Sequence, residues 1–270
     1  MKILETYSEG KLTEKDCEDA YVLTEDFVAV IDGVTSKSDF RYQGKATGKL
    51  AAELVKGTIE RMPRESSLEQ ILSAINSNMQ QMYEEITFPY DRRETGMQAT
   101  CVIYSDFHQE IWLIGDCQAV VDGVLYENPK LSDQLLSDMR ALIIESLNRT
   151  NPQSTLDENA RVGRDVILPW IKKATIFMND ASTKYGYSII NGDAIPESLM
   201  RKIKLEEGPH EIILTSDGYP VVDKTLQLSE QKLQEILQSD PQCYQIYPST
   251  KGKAEGYNSF DDRTYIRFEI

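Results

Sequence analysis

The sequence predicts an α+β fold, and three observations carry that reading. Apolar runs of strand length, rich in Val and Ile, end at Asp-Gly and similar turn signals. Several of these runs are joined by links so short that their strands must pair antiparallel. Longer segments carry apolar residues at helical spacing instead. At 270 residues the chain can bury a large core. No repeat, low-complexity tract or linker divides it, so it reads as one domain over 1–270.

In chain order, residues 2–7 read as a strand. Tyr21 to Leu23 and Phe27 to Ile31 form a hairpin around Thr24-Glu25-Asp26. Asp32-Gly33 is expected to turn the chain out of the second of these. A helix is predicted from about Gly44 to Met62, closed by Pro63, with Ala46, Leu50, Leu54, Ile59 and Met62 on one side. A second helix is expected to start at Ser66, with Glu69 completing a capping box. Its stripe of Leu68, Ile71, Leu72, Ile75, Met79, Met82 and Ile86 is core, and its methionines are packing residues. Ala99 to Tyr104, Ile111 to Ile114 and Gln118 to Val121 read as an antiparallel meander. Residues 131–147 are helical. A helix near 158–172 is expected to be interrupted by Gly163 and Pro169. The irregular stretch up to residue 200 reads equally well as a movable insertion over a site or as surface elaboration. Glu211 to Thr215 is a buried strand that runs into Ser216-Asp217-Gly218. A helix over 229–237 and a strand over 264–270 complete the chain.

Charge narrows the function. A formal net charge of −15 and a pI near 4.7 argue against nucleic acid or an anionic membrane as partner. No apolar stretch approaches the roughly 20 residues that span a bilayer, and the start lacks the apolar core of a signal peptide, so a cytoplasmic protein is expected. The 4 cysteines are scattered, without a C-x-x-C pair or a neighbouring histidine, which suggests neither zinc nor a disulfide scaffold. With 2 histidines, acid–base relays have little material.

Acids at strand ends are what remains. Glu18-Asp19 precedes a strand, Asp32-Gly33 and Asp217-Gly218 follow strands, and Asp261-Asp262 precedes the last one. Any one of them alone reads as an ordinary turn. If they converge, ionised carboxylates within a few ångström repel, so some stay protonated or a cation compensates them. An all-oxygen donor set favours magnesium or manganese over zinc. Two such ions sharing a water would generate hydroxide near neutral pH and neutralise a phosphate. Other chemistries fit less well. Gly44 to Lys49 is too short for a phosphate-binding loop and lacks the following Ser or Thr; no G-x-S-x-G elbow is present. Asp32-Gly33-Val34 lacks the second aspartate of haloacid-dehalogenase-type phosphatases.

The ordered set of short motifs resembles the metal-dependent protein phosphatases of the PPM, or type 2C, family, in a divergent bacterial form. Glu18-Asp19-Ala20 is similar to that family's first acidic motif, and Asp32-Gly33-Val34-Thr35-Ser36 to its Asp-Gly-x-Gly-Gly element. Gly96 to Cys101 and Ile114 to Ala119 resemble its central strand motifs. Thr215-Ser216-Asp217-Gly218 matches its Ser-Asp-Gly, and Asp261-Asp262-Arg263-Thr264 its terminal motif. The resemblance implies a four-layer α-β-β-α sandwich with a flap at about 127–200, and a binuclear centre of Mg2+ or Mn2+. Asp32 would bridge both ions, and Asp217 and Asp261 would complete the first ion's shell. The Gly33 carbonyl, Glu18 and Asp19 would serve the second, and Asp116 with Asp217 a third in the bacterial pattern. Asp32, Asp217 and Asp261 are thus the expected catalytic centre, and the partner is a phosphoserine or phosphothreonine protein. A monomer is the expectation.

Departures from the pattern are local. The phosphate-binding Arg of the family falls on Glu14, with Lys11 and Lys15 nearby, so Lys37, Arg41 or Lys45 are the substitutes the sequence offers. Val34 stands where many eukaryotic members carry His, and Thr35-Ser36 replaces two glycines. These departures support the alternative, a pseudophosphatase-like binding module with the same fold. The retained acids argue against it, because a binding module has no use for mutually repelling carboxylates.

Overall fold

The computed structural model describes residues 1–12 and 17–270, so Glu14 and Lys15 lie outside the described residues. Its centre is a pair of five-stranded antiparallel sheets. In the first, β2 (Ala20–Leu23), β3 (Phe27–Gly33), β4 (Ala99–Ser105), β5 (Glu110–Ile114) and β8 (Arg201–Lys204) lie side by side in that order. The second runs β1 (Lys2–Glu9), β10 (Arg263–Glu269), β9 (Glu211–Thr215), β6 (Gln118–Val121) and β7 (Val124–Tyr126).

The two-residue side-chain period of a strand explains the layering. Val28 and Val30 of β3, with Val102 and Tyr104 of β4, meet Ile212, Leu214, Ile266 and Phe268 of the opposite sheet and form the core between the sheets. Their neighbours Phe27, Ala29, Ile31, Cys101 and Ile103 point the other way. They pack under α1 (Thr47–Ile59) and α2 (Leu68–Glu85). Both faces of β3 and β4 are therefore buried, which is why these strands read as unbroken apolar runs. On the far side, Val120, Ile213 and Tyr265 pack against Tyr219, Val222 and Leu226, where α6 (Leu226–Ser239) begins. The result is the α-β-β-α layering that the resemblance implied.

Three local expectations need correction. The predicted meander breaks after β5. Strand β6 pairs with β7 and β9 in the other sheet, so Gly115-Asp116-Cys117 carries the chain from one sheet to the next. The capping box falls one residue later than expected: Ser67 and Gln70 cap each other, because the Ser66 N–H is already used by Pro63 O in a turn. Strand β3 also runs through Gly33, whose partner is Ala99, so Asp32-Gly33 ends the strand without a turn.

Between β7 and β8 lie a short link, two long helices and irregular chain. Helix α4 (Leu131–Thr150) packs on α5 (Leu156–Lys173), which is uninterrupted where breaks were expected. Gly163 faces α4, with Ile144 and Arg140 so close (3.1 and 3.3 Å from a would-be Cβ) that a side chain has little room. Pro169 lies on the exposed side, where the carbonyl it leaves without a donor faces water. A single turn, α3 (Arg92–Thr95), precedes β4. No helix among the described residues is long and apolar enough to cross a membrane.

Candidate metal and phosphate site

Strand alternation puts Asp32 on the inter-sheet face, two residues beyond Val30, at the end where the sandwich opens. A cleft of about 860 Å³ starts there, and Asp32, Asp116, Asp217 and Asp261 all line it. Each arrives from a different segment: β3, the sheet-to-sheet crossing before β6, the end of β9, and the approach to β10. Glu18 and Asp19 lie deeper, at 7% and 3% exposure. Asp262 is buried beside them and accepts the Glu18 N–H at 2.9 Å. The acids named from sequence thus reach one end of the sandwich.

Two glycine contacts make the approach possible. Gly33 and Gly48 touch through their backbones. A Cβ on Gly33 would sit 2.3 Å from Gly48 O, and one on Gly48 would sit 2.8 Å from Glu18 Oε1. The first turn of α1 therefore abuts the Gly33 and Glu18 region, and Gly48 is a site residue that sequence reasoning missed. Its only signal was the rejected glycine-lysine stretch at 44–49. At Gly115, φ is +81° and the place of a Cβ is filled by Thr100 Cγ2 at 2.2 Å. Only glycine fits this left-handed bend, which aims Asp116 at the cleft.

Electrostatics follow from burial. Asp32 is pushed well above the usual carboxylate range by burial and then by Asp19, Asp261 and Asp116, with Asp217 opposing the rise; Asp217 is pushed well above it by burial and then by Asp32, Asp261 and Asp116. Asp19 is pushed up to about 8 by burial and Asp262, although hydroxyl donors from Ser216 (2.7 Å) and Thr264 (2.8 Å) oppose the rise. Burial also raises Asp116 and Glu18. Asp261 is the exception. Burial pulls it up, but Lys251 and Lys11 outweigh that and hold it below its ordinary value.

Among the described residues, no three His, Cys, Asp or Glu side chains close onto one point as a ready-made metal cage. Asp32, Asp116, Asp217 and Asp261 line the cleft end without forming such a cage. The fit of an ion can still be judged from unused carboxylate oxygens. Among the described residues, Glu18 Oε1, Asp19 Oδ1 and Asp217 Oδ1 are buried without a hydrogen-bond partner. An orphaned carboxylate oxygen is costly, and a hard divalent ion is the cation that such oxygens suit. On this donor chemistry, Mg2+ or Mn2+ fits.

The cleft wall carries the opposite charge. Lys37, Lys130, Arg164 and Lys251 line it together with the acids. Lys130 pairs with Asp133 at 3.0 Å, Lys251 with Asp261, and Arg164 donates to the Thr250 carbonyl at 2.9 Å. Lys37 has no acid within salt-bridge reach among the described residues. Its amine is pushed down to about 8 by burial and by the positive charge of Lys130, Lys251 and Arg164. Arg41 also reaches the cleft, whereas Lys45 pairs with Glu53 at 2.6 Å on α1. Lys130, Arg164 and Lys251 had no local sequence signal, because only the tertiary fold brings them here.

No family model matches the chain, and no curated protein does. Solved structures do. The serine/threonine phosphatase PstP/Ppp of Mycobacterium tuberculosis superposes with a TM-score of 0.50 at 15% identity, over 99% of this chain and 98% of that one. The serine/threonine phosphatase Stp1 of Staphylococcus aureus gives 0.50 at 15% identity, over 98% and 94%. The chain has the fold of the PPM serine/threonine phosphatases.

Proposed function

We propose that this chain is a divalent-metal-dependent phosphoric monoester hydrolase that acts on phosphoserine and phosphothreonine in proteins. The observation that carries this reading is the set of carboxylates at and behind the floor of a cation-walled cleft; among the described residues, Glu18, Asp19 and Asp217 each keep a buried oxygen without a partner. Asp32, Asp217 and Asp261 would hold one ion, and Asp32, the Gly33 carbonyl, Glu18 and Asp19 another, with Asp116 available to a third. Such ions, when bound, supply Lewis acidity toward phosphoryl oxygen and a lowered pKa for their water.

The chain's own residues do the rest. Ser216 and Thr264 fix Asp19 through its Oδ2 and leave Oδ1 free. Lys37, Lys130 and Arg164 offset the negative floor, so that a phosphate dianion can approach. Val34 has no acid–base group and packs by the cleft against Met178, Tyr187 and Ile189, so this position contributes shape only. The cleft volume falls in the range of substrate sites, roughly 300–1,000 Å³.

A second reading, a docking module with the phosphatase fold, is favoured by one observation: both oxygens of Asp261 are already held by lysines. Hydrolysis of p-nitrophenyl phosphate with and without Mn2+ separates the two. Manganese-dependent turnover supports the enzyme. No turnover and no calorimetric Mn2+ binding by the folded chain supports the docking module.

A further inference from the structure

Lys11 is a cation set among anions. Its Nζ lies 3.3 Å from Asp261 Oδ1, 3.4 Å from Asp262 Oδ2 and 4.0 Å from Glu18 Oε2. The Thr35 hydroxyl accepts from the same ammonium at 3.0 Å. Its backbone is pinned as well: the Lys11 N–H donates to Asp262 Oδ1 at 2.8 Å, and the Lys11 carbonyl accepts the Asn258 N–H at 2.9 Å. The ammonium is therefore delivered by a fixed segment just after β1 and is not a surface side chain folded over by chance.

Asp261 shows the consequence. Lys11 takes its Oδ1 and Lys251 takes its Oδ2. A divalent ion on either oxygen would stand next to an ammonium group and be repelled by it. Thr35 completes the arrangement, because a glycine there would offer the ammonium no acceptor. Thr35 and Lys11 thus form one arrangement.

We infer that Lys11 takes the place of one divalent ion in the carboxylate cluster, as a tethered monovalent counter-ion, so that this chain binds one ion fewer than its acids would otherwise admit. The inference rests on reading these acids as ion ligands. The oxygens on Glu18, Asp19 and Asp217 that have no partner among the described residues are those Lys11 does not satisfy, and they are left for the divalent ion that the chain does take.

Equilibrium dialysis against Mn2+, with ions per chain counted by elemental mass spectrometry, tests this on the full chain. The wild type and Lys11→Arg should hold the same number of ions, and Lys11→Met one more. Equal, non-zero numbers in wild type and Lys11→Met overturn the inference and leave the proposed function standing. No ion in any variant overturns both. If Lys11→Met does not fold by circular dichroism, acetylation of the wild type supplies the reading. At saturating Mn2+, Lys11 should be labelled at least tenfold more slowly than exposed Lys2. Labelling at the Lys2 rate means that metal has displaced the ammonium, which contradicts the inference.

Discussion

Asp19 Oδ2 accepts the Ser216 hydroxyl at 2.7 Å, although the two residues are 197 positions apart. One stands just before β2 and the other just after β9, so this bond ties the two sheets together at the site end. Thr264 adds a second donor from β10, and Ser216 Oγ in turn accepts the Thr264 N–H at 2.9 Å. The group is buried throughout, so its loss is not made good by water. Ser216→Ala should destabilise the metal-free chain by about 1–3 kcal/mol, the cost of leaving a buried acceptor short of a donor. Urea unfolding measures it, and an unchanged midpoint would show that the bond contributes nothing.

Gly48→Ala is predicted to damage the site more than the helix. Alanine is the better helix former, and by propensity alone the change should help by roughly 0.5–1 kcal/mol. Here the new Cβ would meet Val34 O at 2.5 Å and Glu18 Oε1 at 2.8 Å. The expected outcome is a lower melting temperature together with weaker Mn2+ binding. A more stable variant with normal binding would refute the proposed contact.

Protonation should couple to stability with a definite sign. Asp19, moved from 3.8 to about 8, and Asp32, Asp116, Asp217 and Glu18, all raised, keep protons in the folded state that the unfolded chain gives up above pH 4. Stability of the metal-free chain therefore falls as pH rises from about 4 toward 8. His210, raised by its contact with Asp122, pushes the same way above its ordinary 6.5, so His210→Gln is the control that isolates the carboxylates. The depressed Asp261 matters only below its ordinary value of 3.8, outside this window. With chelator present, the melting temperature should be higher at pH 5 than at pH 8, and Mn2+ should raise it most at pH 8, where it has fewest protons to displace. The reverse order of melting temperatures would contradict this electrostatic account.

Lys37 should be the most reactive lysine in the cleft. An amine held near 8 is half neutral at pH 8, whereas an ordinary lysine near 10.5 is almost fully charged. Acylation at pH 8, mapped by mass spectrometry, should mark Lys37 ahead of Lys130, and inorganic phosphate should slow it. Equal labelling of the two would argue against a Lys37 crowded by like charge.

The fold was legible where periodicity was strong. Both faces of β3 and β4 are apolar, and the α2 stripe runs on one side, so these elements needed no tertiary information. What escaped the sequence was long-range. Nothing in Gln118 to Val121 states that β6 joins the other sheet, since its period of two is satisfied in either. The capping box slipped by one residue because Ser66 and Ser67 are equally good caps, and a turn from Pro63 decided between them. At the site, the acids could be grouped because each stands at a strand end in a recognisable order. The cations could not: Lys251 and Arg164 lie far along the chain and carry no local signature. Lys11 was visible only as a nearby charge, and its place among Glu18, Asp261 and Asp262 depends on β1 lying beside β10.

The central claim is that Asp32 and Asp217 serve metal-dependent phosphate ester hydrolysis. Release of phosphate from a phosphothreonine peptide in the presence of Mn2+, compared among wild type, Asp32→Ala and Asp217→Ala, tests it most directly. Loss of an outer-sphere partner at a metal site costs about 10–100-fold, so removal of either of these carboxylates should cost at least about a hundredfold. Full activity in both variants would contradict the assignment of the site.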